Sequence, residues 1–189
     1  MVKPNGQVDG SMPEGDEEWR GALNKPSSTL SAGAIIIGIW MVFLTIINIL
    51  IGAYSEGRKV NWIAFITNGA ETNSAHQIAL TFPDDLMFGI LSIIVLAIGI
   101  MGMNSAREDG FMGWVSRLHK EKIVASLFSI EGGMERVLAS WMVLSGFLYY
   151  VVWSAFETTW VDPGVYSVTI ASISIGVGIH WIQDSKSEN

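Results

Sequence analysis

The chain has 189 residues, 50% of them hydrophobic and only 15% charged, with a formal net charge of −7. A soluble domain carries charge on about a quarter of its residues, so this bias excludes an ordinary water-soluble fold. The absence of cysteine excludes disulfides, thiolate metal sites and thiol catalysis, and the 11 Lys and Arg residues form no clustered footprint for nucleic acid.

Residues 1–29 mix Pro, Gly, Ser and acids. Such a segment cannot bury enough surface to offset its ordering entropy, so it is expected to be a disordered acidic tail. It contains no apolar core of a cleavable signal peptide, which leaves the first span to act as the targeting signal. Ser27, Ser28 and Thr29 are candidate N-caps for that span.

Four apolar stretches follow, Ile35–Tyr54, Leu86–Met103, Val137–Ala155 and Tyr166–Trp181, with no charged residue across their centres. Each is near the ~20 residues that an α-helix needs to cross a ~30 Å hydrocarbon layer. In the first, Asn48 is expected to hydrogen-bond to a neighbouring helix, because an amide inside a span is costly without a partner.

The loop Ser55–Asp85 holds two apolar runs, Val60–Thr67 and Gln77–Phe82, with a turn signal at Asn68-Gly69. A small hairpin fits, and so does an interfacial half-helix over the first run. Pro83-Asp84-Asp85 ends the loop, and its acids are expected to cap the second span.

In the next connection Phe111, Trp114, Val115 and Leu118 follow the i, i+3, i+4, i+7 spacing of one helical face, with Arg117, Lys120 and Lys122 close to it. A short basic helix lying in the membrane interface is expected here. Ile123–Ile130 is apolar but too short to span, so it packs beneath the bundle or re-enters shallowly.

Asp162-Pro163-Gly164 makes a tight turn before the fourth span. There Ser167, Ala171, Ser174 and Gly178 recur at spacings of 4, 3 and 4, with Ser172 and Gly176 beside them. Lipid gives no hydrophobic drive between helices, so such small residues mark close backbone packing. Trp40-Met41-Val42 recurs as Trp141-Met142-Val143, a short echo between the first and third spans.

Catalytic and cofactor chemistry finds little support. His76, His119 and His180 do not offer two ligands at one depth for a haem. No His-x₃-His pair and no Gly-x-Ser-x-Gly motif occurs. Glu131, Glu135 and Arg136 read as a helix start. No mid-span acid or base is present, which weighs against coupled ion transport. No metal or cofactor is expected.

Nine of the 11 basic residues lie in the two tails and the second connection; only Arg58 and Lys59 lie on the other side. The positive-inside rule then puts both termini in the cytoplasm, with the membrane type unspecified. Trp160 falls at an outer span end and Trp114 and Trp181 at inner ends, as the interfacial preference of tryptophan requires.

The expected fold is an all-α integral membrane protein. Four transmembrane helices (about 35–54, 86–103, 137–155 and 166–181) form a bundle within residues 30–182, with a short cytoplasmic interfacial helix, an outer loop of about 30 residues and a short cytoplasmic tail, 183–189. The expected role is a non-enzymatic multi-pass subunit or scaffold that packs against itself or another membrane protein in the lipid bilayer. The alternative is a small uncoupled channel or carrier for a neutral or apolar solute, lined by Thr45, Asn48, Ser145 and Thr169.

Overall fold

The computed structural model describes residues 26–67, 69, 72–73 and 80–187. Most of the acidic tail, Asn68 of the Asn68-Gly69 turn, His76 and half of the Gln77–Phe82 run therefore lie outside the described residues. In chain order the elements are α1 (Ser28–Leu50), β1 (Lys59–Val60), α2 (Ala64–Thr67), β2 (Thr72–Asn73), α3 (Asp84–Ala106), α4 (Gly110–Arg117), a 3₁₀ turn at Leu118–Lys120, α5 (Lys122–Ala125), α6 (Met134–Glu157) and α7 (Pro163–Ser187).

Four of these, α1, α3, α6 and α7, are long and apolar enough to cross a membrane. They form a multi-pass all-α bundle. Four crossings return the chain to the side on which α1 began. The end holding the start of α1 and the finish of α7 is called the terminal end below, and the opposite one the loop end.

The bundle is built from two antiparallel hairpins, α1 with α3 and α6 with α7. Glycines set both contacts. A Cβ placed on Gly38 would lie 2.6 Å from Leu96 Cα, and one on Gly99 would lie 2.7 Å from Ile35 N. In the second hairpin a Cβ on Gly176 would meet Ala139 O at 2.6 Å. At these points backbone packs on backbone, which substitutes dispersion for the missing hydrophobic drive. The outward faces stay apolar and open, as with Ile93, Ile98 and Met101 on α3, and suit contact with acyl chains.

The spans run past the apolar stretches that announced them. α1 starts at Ser28, with Ser27 as N-cap accepting from Leu30 N at 3.5 Å, and α7 continues to Ser187. α1 also stops earlier than expected, at Leu50 rather than Tyr54. Gly52 takes φ of +100°, a backbone state open to glycine, and its N–H donates back to Ile47 O at 2.9 Å. The chain leaves the helix there.

The loop contains a short strand pair and a helical turn, but the strand opposite Lys59–Val60 lies outside the Gln77–Phe82 run. β1 and β2 pair antiparallel, Lys59 with Asn73 and Val60 with Thr72. Between them α2 makes a single helical turn. At the terminal end α4 is the short amphipathic helix, tied to the end of α3 by Phe111 N donating to Asn104 Oδ1 at 2.7 Å. Ile123–Ile130 forms one turn of helix, α5, and then a bend in which Ser126 is buried while Phe128 and Ile130 are exposed.

Candidate functional site

α7 carries two rows of small or polar residues on nearly opposite faces, about 180° apart at ~100° per residue. One row meets α6. Val165, Thr169, Gly176 and His180 are buried, and Ser172 Oγ donates to Met142 O at 2.8 Å. Gly146 of α6 faces this row, where an added Cβ would lie 3.0 Å from Ser172 Cβ. The other row is Ser167, Ala171, Ser174 and Gly178. The first three are exposed, and a Cβ on Gly178 would have no neighbour within 4 Å. Ser172 and Gly176 thus pack inside the chain, while the longer row faces outward.

Asn48 sits at the loop end of α1, fully buried. Its Nδ2 donates to Asp85 Oδ1 at 2.8 Å and to Val60 O at 3.0 Å. Its Oδ1 accepts from Val60 N at 2.8 Å and Ala53 N at 3.2 Å. Both donors and both acceptor positions of the amide are therefore used. Sequence reasoning gave Asn48 a helix partner but missed the rest of its surroundings. Lys59 is buried beside it, ion-paired to Asp85 Oδ2 and donating to Thr81 Oγ1 at 2.8 Å.

The two acids at the start of α3 do not cap that helix, whose N-cap is Pro83 with no side-chain cap bond. Asp84 Oδ1 instead accepts from Ile63 N at 2.8 Å, and Asp85 Oδ2 from Thr81 N at 2.8 Å. Their oxygens are turned back onto the loop, where they satisfy its backbone N–H groups. The cluster anchors the loop to the ends of α1 and α3.

No family model matches this chain, and no similar curated protein or solved structure was found.

Trp160 joins the two hairpins at the loop end. Its N–H donates to Ala53 O at 2.8 Å. Its carbonyl accepts from both Tyr150 and Tyr166 hydroxyls, at 2.6 and 2.7 Å. Its ring meets Phe43 edge-on, with centroids 5.0 Å apart, and Trp40 meets Tyr150 in the same manner at 4.6 Å. Glycines hold each hairpin together; aromatic rings bridge between hairpins.

At the terminal end Ser140 Oγ lies 2.9 Å from His180 Nε2, both buried. The spacing is that of a nucleophile and a base, but among the described residues His180 Nδ1 has no hydrogen-bond partner to orient it. Both side chains are buried, and the contact bridges α6 and α7. Among the described residues no group of three or more His, Asp or Glu is placed to hold a metal ion.

The remaining interfacial residues spread over the terminal end. Trp114 is half-buried on α4, Arg117, Lys120 and Lys122 are exposed, and Trp181 is exposed on α7. Asp109 is held between Arg107 (2.9 Å) and Arg117 (3.3 Å). The hydrogen bond from Arg107 holds the Asp109 carboxyl below the usual range and raises the guanidinium in return. The four polar positions of the channel alternative do not share a path. Thr45 lies 3.5 Å from Ser92 between α1 and α3, Ser145 is exposed on α6, and Thr169 is buried against α6.

Proposed function

We propose that this chain is a non-enzymatic, multi-pass membrane subunit that packs through α7 against a second copy of itself or another membrane protein. The observation that carries this reading is the outward row Ser167, Ala171, Ser174 and Gly178. The contact of α7 with α6 is already served by the opposite face, so the outward row is left for a helix outside the chain. Small side chains there let a second backbone approach closely, which is how helices gain packing energy in lipid. The nine-to-two basic bias supports a cytoplasmic terminal end.

Ala171→Leu combined with Ser174→Leu fills the row without touching the α6 contact. Blue-native electrophoresis of the wild-type protein in mild detergent should give a particle larger than one chain. The double variant should run as a monomer with an unchanged thermal unfolding midpoint. A wild-type protein that is strictly monomeric and carries no companion from native membranes would sink the reading.

A further inference from the structure

The terminal end contains a cationic hollow that the packing role leaves unused. Three segments converge on it: the 3₁₀ turn and α5, the bend that follows, and the facing ends of α6 and α7. The result is an open concavity of about 670 Å³. Four cations line it, Lys120, Lys122, Arg136 and Lys186, against one acid, Glu131.

Two of the cations are fixed in place. Lys122 Nζ and Arg136 Nη1 both contact Asp184 Oδ1, at 2.8 and 2.7 Å, which draws α5, α6 and α7 together around the hollow. Glu135 sits behind it, accepting from Gln183. Even with Asp184 and Glu135 included, the cations outnumber the carboxylates. Lys120 and Lys186 have no ion-pair partner among the described residues.

Exposed apolar residues alternate in sequence with those that line the hollow. Phe128 is 87% exposed, Ile130 71% and Met134 70%. The neighbouring bend and the first turn of α6 thus hold a greasy edge beside a positive cup, at the depth where a span meets water. A soluble anion would use only the cup, whereas an amphiphile uses both. Basic pockets between membrane helices are the established means of holding phospholipid headgroups.

We propose that this concavity binds the phosphate headgroup of an anionic membrane lipid, with its acyl chains against Phe128, Ile130 and Met134. The site needs only that the terminal end lie at a membrane surface. It does not depend on what α7 packs against.

Native mass spectrometry of the full chain, released from nanodiscs of mixed phosphatidylglycerol and phosphatidylcholine, tests this. One phosphatidylglycerol per chain should be retained in preference to phosphatidylcholine. Lys120→Gln with Lys186→Gln removes the two unpaired cations and should weaken retention about fivefold for each. Lys120→Arg with Lys186→Arg should keep it. Arg117→Gln, on the same end but outside the hollow, should change it less than about twofold if binding is local rather than spread over a charged surface. Inorganic phosphate should not displace the lipid. Equal retention of the two lipids, an equal loss in the Arg117 variant, no loss in the double Gln variant, or displacement by inorganic phosphate would each overturn the proposal.

Discussion

At the scale of single residues, the buried Lys59–Asp85 pair is the most exposed to mutation. Removing one partner leaves an uncompensated charge in a buried site, which costs about 3–5 kcal/mol, whereas replacing both by apolar residues of similar volume is often neutral. Asp85→Ala should therefore lower the thermal unfolding midpoint in detergent sharply. Lys59→Met with Asp85→Leu should recover most of that loss. A double variant no better than the single one would mean that the damage lies in the lost Thr81 and Asn48 bonds. The sequence pointed to Asn48, because an amide in a span needs a partner. It did not point to the pairing of Lys59 with Asp85, which lie 26 residues apart and outside any periodic run. Their meeting depends on the path of the loop.

Asp109 carries a second residue-scale prediction. Its folded carboxyl is depressed by Arg107 first and Arg117 after it. A depressed acid contributes stability above its unfolded value, about 3.9, and loses that contribution as pH falls through the folded one. The Asp109 side-chain carboxyl carbon followed by NMR in micelles should titrate below the ordinary aspartate range. Arg107→Gln should move its midpoint upward. A wild-type midpoint in the ordinary range would show that the contact is solvent-screened into irrelevance.

At the scale of elements, two glycines in α7 separate its faces. Gly176→Leu drives a side chain into Ala139 O and Val143. Overpacking of this kind costs about 1–3 kcal/mol or more, so the α6–α7 hairpin should lose thermal stability. Gly178→Leu meets open space and should leave the fold intact. Equal destabilisation by both would contradict the contact described. The spans themselves were legible as apolar runs, and the N-cap candidates marked the start of α1 at Ser28; the far end of α7 was not legible, because Ser187 continues a helix whose hydropathy has already faded. The phase of α7 was legible only in part. Small residues occupy two nearly opposite faces, so no pattern within α7 could say which row meets α6. That is decided by Ala139, Val143 and Gly146 on the other helix.

At the scale of the whole molecule, the expected orientation rests on the distribution of basic residues, which is a property of the sequence and not of the packing. In this cysteine-free chain, Ser11→Cys, Ser74→Cys and Ser187→Cys can be labelled one at a time in intact cells. An impermeant thiol reagent should modify only the Ser74 variant. Labelling of Ser11 or Ser187 variants would put the terminal end outside the cell.

Trp160 and its aromatic neighbours bear on how the protein is made. Each hairpin completes its own close contacts, so α1 and α3 can settle in the membrane while α6 and α7 are still being synthesised. Joining the halves is then a late step between two formed units. It follows that the covalent link between them is dispensable. Residues 1–120 and 121–189, produced as separate polypeptides in one cell, should find each other and co-purify through a tag on either half. Trp160→Ala removes the ring that meets Phe43 and should reduce the yield of the reassembled pair while leaving each half inserted. Halves that insert but never co-purify would show that the two hairpins are held together by the chain and not by the junction.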